Sequence, residues 1–69
     1  MLNQKQREML DYLKEGSPVS PRAFRARFSL GDKSEQEQAY RDYLELSQAG
    51  YIKEDRDSVW ITDDGLNTL

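Results

Sequence analysis

The spacing of apolar and polar residues along the chain predicts three helices followed by a β-hairpin. Apolar side chains recur every three or four residues in segments 4–14, 21–28 and 35–49, which is the period of an amphipathic helix. Tyr40 and Leu44 flank the apolar face of the third segment. The opposite arc of this helix is expected to carry Gln38, Arg41, Asp42 and Glu45. The side chains expected to face the core are Met9, Leu10, Leu13, Ala23, Phe24, Phe28, Ala39, Tyr43 and Leu46.

Capping residues indicate where each helix begins. Asn3 and Gln6 have the spacing of a capping box at the first helix. Ser20 followed by Pro21 is a strong start signal for the second helix. Ser34-Glu35-Gln36-Glu37 predicts a second capping box, so we expect the third helix to begin after Ser34.

The connections between the helices carry turn residues. Gly16-Ser17-Pro18 ends the first helix, and Val19 after it is expected in a short strand that pairs with the later hairpin. Residues 29–33 form the turn between the second and third helices, and Leu30 within it is expected to fill the core.

The end of the chain predicts a helix that stops at a glycine and continues directly into a hairpin. Gly50 suits the C′ position, where a left-handed backbone carries no side-chain penalty. Tyr51-Ile52 and Val59-Trp60-Ile61 are β-branched and aromatic, and the polar Asp55-Arg56-Asp57-Ser58 joins them as a turn. Thr62 is expected to cap a last helical turn.

Strand alternation separates the aromatic residues of the hairpin from its aliphatic ones. Ile52 and Ile61 are expected on the inner face, so Tyr51 and Trp60 lie on the other face. An exposed aromatic pair would be a protein interface, where such residues are enriched. The alternative is that other apolar residues cover the pair, namely Leu66, Leu69 or the N-terminal Met1-Leu2.

Composition narrows the class of protein. The 69 residues suffice for one domain, 1–69, and they include neither cysteine nor histidine, so disulfides, thiolate metal sites and histidine acid–base chemistry are excluded. No apolar run approaches the roughly 18 residues of a membrane span, and we expect a cytoplasmic protein. The carboxylate pairs Glu54-Asp55 and Asp63-Asp64 suit turns and caps better than catalysis, so we expect neither an enzyme nor a cofactor.

Three short motifs carry a resemblance to a known superfamily. Leu46-Ser47-Gln48-Ala49-Gly50-Tyr51-Ile52 is similar to the exit of the recognition helix in many bacterial repressors. Ile61-Thr62-Asp63-Asp64-Gly65 resembles the close of the wing in regulators of the multiple-antibiotic-resistance and phenolic-acid types, and segment 2–10 is similar to the opening of the SOS repressor's DNA-binding domain. Their order resembles a winged helix-turn-helix, an α+β, mainly α fold of three helices with a C-terminal β-hairpin wing.

The resemblance implies a bacterial or phage transcription regulator that binds double-stranded DNA. Binding by one monomer is expected to be weak and strongly salt-dependent, so we expect a homodimer on a two-fold site. Its third helix would lie in the major groove, and its wing would touch the backbone. The residues that match these positions are Ser34, Gln36, Gln38 and Arg41 for base edges, Arg22, Arg25 and Lys33 for phosphates, and Lys53 and Arg56 on the wing.

The charge distribution leaves the function open. Segment 20–33 is +3, but the whole chain is −3, so the other residues carry −6. The third helix has Arg41 as its only cation against four acids, Glu35, Glu37, Asp42 and Glu45, which is unfavourable for binding a polyanion. One alternative is a protein-interaction module on a winged-helix scaffold that does not bind DNA. Others are an ordinary solvated surface of paired charges, and a piece of a larger regulator.

Overall fold

A computed structural model describes residues 2–69, and it has the predicted class, α+β and mainly helical. Helices and a two-stranded antiparallel sheet follow one another along this part of the chain. Their bounds are α1 Gln4–Gly16, α2 Pro21–Phe28, α3 Lys33–Gln48, β1 Ile52–Glu54, β2 Val59–Ile61 and α4 Asp63–Thr68. None of the described helices is long and apolar enough to cross a membrane.

The predicted starts of α1 and α2 are confirmed, but α3 begins two residues earlier than expected. Asp32, not Ser34, is its N-cap, and the Asp32 side chain accepts a hydrogen bond from the Glu35 backbone N–H at 2.8 Å. Aspartate caps a helix as well as serine does, and Glu35 occupies the N3 position that completes the box. The prediction of a capping box at Ser34 is therefore wrong.

The core lies where the three longer helices meet the hairpin. Phe24 and Phe28 of α2 pack their rings 4.9 Å apart, and Tyr12 of α1 meets Phe28 edge-on at 5.5 Å. Tyr43 of α3 lies 5.4 Å from Phe24 and closes the aromatic cluster. The buried apolar residues are Met9, Leu10, Leu13, Phe24, Phe28, Ala39, Leu46, Ile52 and Val59.

Two predicted core residues are in fact exposed. Ala23 lies outside the core because adjacent helical residues point about 100° apart, and Phe24 and Phe28 fix the buried side of α2. Leu30 is 63% exposed. Phe28, the last residue of α2, is still buried in the core, but Leu30 lies beyond the end of the helix, in the turn, and faces solvent. The turn between α2 and α3 therefore contributes no side chain to the core at this position.

The transition from α3 to β1 is a Schellman motif centred on Gly50. The Tyr51 N–H donates to the Leu46 carbonyl at 3.0 Å, and the Gly50 N–H donates to the Ser47 carbonyl at 3.1 Å. Gly50 has φ +83°, as the sequence predicts for the residue after the helix. The glycine thereby ends the helix and sends the chain directly into the hairpin.

The hairpin pairs Ile52 with Ile61 and Glu54 with Val59. Asp55 holds its turn, because the side chain accepts backbone hydrogen bonds from residues 57 and 58, both at 2.8 Å. Val19 pairs with Val59 on the other side of β2 through two backbone hydrogen bonds of 2.7 and 3.0 Å. The predicted pairing of Val19 with the hairpin is confirmed, but Val19 forms an isolated bridge and not a strand.

The chain then returns across the start of the hairpin through α4. Thr62 caps this helix, as predicted, by accepting a hydrogen bond from the Gly65 N–H at 3.1 Å, and its hydroxyl donates to the Gly50 carbonyl at 2.6 Å. A Cβ added at Gly65 would collide with the Tyr51 carbonyl oxygen and lie 2.7 Å from Ile61 Cγ1. The packing of α4 thus requires a residue without a side chain at this position.

We predict that alanine substitutions at three glycines differ in their cost. Gly65→Ala should lower the free energy of unfolding by about 2–3 kcal/mol, because backbone must move to admit the methyl group. Gly50→Ala should cost about 1–2 kcal/mol, because the positive φ alone opposes it and the space around Gly50 is open. Urea unfolding followed by circular dichroism measures both changes.

Gly16→Ala is the matched control for these variants. Its new methyl group would meet only Val19 Cγ1, at an ordinary 3.9 Å, and Gly16 is the last residue of α1. We expect no loss of stability and a gain of up to about 1 kcal/mol, because alanine favours a helix over glycine. A cost at Gly16 equal to that at Gly65 would contradict the close-approach argument.

Candidate nucleic-acid interface

The acidic residues of α3 do not all lie on its outer side. The sequence pattern predicts Asp42 among the polar residues of the outer arc, but it is 2% exposed and faces α1. Its carboxylate accepts hydrogen bonds from Asn3 Nδ2 at 2.9 Å and from Gln38 Nε2 at 3.2 Å. The prediction for Asp42 is wrong because donors from the distant start of α1 make the buried position favourable.

Gln6 extends this network and joins the two helices. Its side chain is 2% exposed, and Nε2 donates to the Asp42 backbone carbonyl at 3.3 Å and to Glu45 Oε2 at 2.8 Å. The side-chain oxygen of Gln6, Oε1, accepts a hydrogen bond from the Asn3 backbone N–H, so the same residue also completes the cap of α1. Glu45 is thereby held on the side of α3 that faces α1.

The outward side of α3 follows from its buried side. Ala39, Asp42 and Leu46 are buried, so helical geometry places the opposite arc about 180° away. Glu35 takes part in the N-terminal capping box, and Glu37 remains as the acid on this arc. The outward residues of α3 are Lys33, Ser34, Glu37, Tyr40, Arg41, Leu44 and Gln48, of which Leu44 is half-buried and the others are exposed.

The arginines of α2 lie on two different sides of that helix. Arg25 lines a groove of about 450 Å³ between α2, α3 and the hairpin, and Tyr40 lines the same groove from α3. Arg22 is one turn before Arg25 and exposed, so the two share a side of α2. Arg27 lies elsewhere, with its guanidinium carbon 4.9 Å from the centre of the Phe28 ring.

Glu54 faces the same groove and places a negative charge beside Tyr43. The Tyr43 hydroxyl is buried and has no hydrogen-bond partner within the described residues. Burial and the nearby Glu54 carboxylate raise the pKa of Tyr43 above its ordinary value, while Arg25 opposes this shift. The groove therefore holds one cation, Arg25, and one anion, Glu54, at its edge.

Several residues predicted to contact DNA have partners within the protein. The Gln36 side chain donates to the Gly31 carbonyl at 3.0 Å, and Gln38 donates to Asp42. On the hairpin, Lys53 pairs across the sheet with Trp60, and Arg56 lies exposed in the turn. The other predicted DNA contacts fall into two groups. One group lies on α2 and α3 and consists of Arg22, Arg25, Lys33, Ser34 and Arg41, and the other lies on the hairpin and consists of Lys53 and Arg56.

Tyr51 and Trp60 do not form the exposed aromatic pair considered from the sequence. Tyr51 is half-buried and packs against the core, and with Leu2 and Thr68 it lines a hollow beside α1. Trp60 is half-buried on the other side of the hairpin. Of the proposed covering residues, Leu66 and Leu69 remain 42% and 48% exposed, and Met1 lies outside the described residues.

Tyr40 is the surface residue that the sequence reasoning missed. The sequence pattern predicts Tyr40 on the flank of the core, but its side chain is 62% exposed. The buried residues of α3 follow the spacing 39, 42 and 46, and this phase turns position 40 outward. The spacing 39, 42 and 46 is visible in the sequence, but a charged residue such as Asp42 is rarely expected in a protein core.

Within residues 2–69, no group of three or more acidic, histidine or cysteine side chains is arranged to hold a metal ion. Comparison with protein families finds no family model that matches the chain, and comparison with curated protein sequences finds no match. The interpretation of the surface therefore rests on its geometry and charge.

We predict that Asp42→Ala destabilises the protein by about 1–3 kcal/mol, because Asn3 and Gln38 both lose their acceptor. Urea unfolding measures the change. Glu37→Ala is the matched control, since it removes the same charge from the exposed side of the same helix and should change stability by less than about 0.5 kcal/mol. Equal effects of the two substitutions would show that the buried network does not stabilise the fold.

Proposed function

We propose that this chain is a winged helix-turn-helix DNA-binding domain that regulates transcription, with α3 in the major groove and the hairpin as its wing. The distribution of the acids of α3 is the observation that carries this proposal. Asp42 is buried, Glu45 bonds to Gln6 and Glu35 belongs to the cap, so Lys33 and Arg41 outnumber the remaining Glu37 on the outward arc.

The net charge of −3 is compatible with this proposal because charges act locally. At physiological salt the Debye length is about 8 Å, so acids on the far side of the protein are largely screened from a DNA surface. Arg22 and Arg25 on α2 add positive charge beside the α3 arc. The small number of cations implies weak, strongly salt-dependent binding by one copy, which favours a dimer on a two-fold DNA site.

A DNA titration with matched arginine variants tests the proposal. Fluorescence anisotropy of a labelled random-sequence duplex should show that wild type binds more weakly as salt rises. The double variant Arg22→Ala/Arg25→Ala should bind more weakly at low salt. Its plot of log affinity against log salt should also be shallower by roughly 2, because about 0.9 counterion is released per phosphate contact.

Arg27→Ala serves as the control, because it removes a positive charge from the side of α2 where the guanidinium lies over Phe28. We expect its salt dependence to match that of wild type. Equal binding by wild type and the double variant would remove α2 from the interface, and no binding at any salt would end the DNA proposal.

The second candidate function is protein docking without DNA binding. Trp60 favours it, since this large aromatic residue is only half-buried and lies on the outer face of the hairpin opposite Lys53. If this candidate is right, Trp60→Ala abolishes the self-association of the protein in sedimentation velocity and leaves its circular dichroism spectrum unchanged. The control variant Lys53→Ala self-associates as wild type does. A chain that stays monomeric and shifts DNA would exclude this candidate.

A further inference from the structure

Two apolar side chains occupy the middle of α3 on the side where its cations lie. Tyr40 is 62% exposed, and Leu44, one turn later, is half-buried. Both line the groove that separates α3 from α2 and the hairpin. Residues four apart on a helix lie side by side, so the ring and the isobutyl group form one apolar strip along the helix.

The charges around this strip indicate the kind of partner that covers it. Arg41 lies between the two residues in sequence and is exposed, and Lys33 lies on the same side at the start of α3. Arg25 faces the strip from across the groove. Two acids also lie beside the strip, Glu37 on the same side of α3 and Glu54 at the groove, so the three cations outnumber them by one. An apolar strip with this surplus of positive charge is complementary to a polyanion that also displays apolar groups.

Duplex DNA has this combination of properties. Its phosphates are anionic, and its major groove, about 12 Å wide, admits a helix and displays one apolar group, the 5-methyl of thymine. We infer that Tyr40 and Leu44 contact thymine methyl groups, so that α3 selects sites containing thymine at the positions they reach. This inference rests on the proposed DNA binding, and it adds an apolar contribution to the hydrogen bonds available from Arg41.

Replacing thymine by deoxyuridine tests the inference, because it removes the methyl group and leaves base pairing unchanged. A duplex is first selected from a randomised pool with the wild-type protein, and each thymine is then replaced in turn. At one or two positions the affinity should fall about fourfold, as expected for losing one buried methyl-sized group worth about 0.8 kcal/mol. At the remaining positions it should be unchanged.

Variants of the strip assign the contact to its residues. Tyr40→Ala should bind the thymine and deoxyuridine duplexes equally well at one sensitive position, and Leu44→Ala should do so at the other or at the same one. Tyr40→Phe should keep the full sensitivity. Leu30→Ala is the matched control, because Leu30 is equally exposed at 63% but lies in the turn before α3, and its sensitivity should equal that of wild type.

The possible outcomes separate this inference from the proposed function. If wild type binds the selected duplex and no deoxyuridine substitution weakens binding, methyl recognition is wrong and DNA binding stands. If sensitivity is present but survives in both alanine variants, other residues make the contact and the inference is overturned. If no duplex is enriched from the pool, DNA binding itself fails, and the recognition of thymine fails with it.

Discussion

The buried hydrogen-bond network between α1 and α3 determines which side of α3 faces outward. A carboxylate that is 2% exposed, that of Asp42, requires donors, and these come from Asn3 and Gln38, while Gln6 binds the Asp42 backbone carbonyl. A rotation of α3 about its axis would leave Asp42 buried without partners or expose Leu46. The network therefore specifies the rotation of the helix more strictly than its apolar residues alone, which tolerate small shifts.

Because the orientation of α3 is fixed, the net charge of this helix does not describe the charge on its outward side. Summed along the sequence, α3 is acidic, but in the fold three of its four acids have structural partners or face α1. A carboxylate that accepts internal hydrogen bonds still carries its charge, yet its distance from a ligand on the opposite side of the helix weakens its influence. The relevant quantity for a DNA-binding interpretation is the field at the outward arc, where Lys33 and Arg41 lie on either side of Glu37.

The sequence predicted the features that depend on neighbouring residues. The caps at Asn3, Ser20 and Thr62, the stop at Gly50 and the hairpin all arise from local chemistry, and the structure confirms them. The start of α3 could not be decided locally, because Asp32 and Ser34 each suit an N-cap followed by glutamate at N3. The position of Asp42 depends on donors that lie 39 residues away in the case of Asn3. The rotation of α3 that buries Asp42 also turns Tyr40 outward, so both positions were predicted wrongly for the same reason. The exposure of the cations was predictable from the sequence, but the hydrogen bond from Gln38 to Asp42 was not.

The pairing of Val19 with Val59 has a consequence for the behaviour of the protein at high concentration. Since β2 has Val19 on one side and β1 on the other, the free edge of this sheet is that of β1. The unpaired backbone groups of an open edge can form hydrogen bonds with strands of other molecules, and short, charged edge strands reduce such pairing. The edge here is three residues long and includes Lys53 and Glu54, so it offers little backbone with which strands of other molecules could pair.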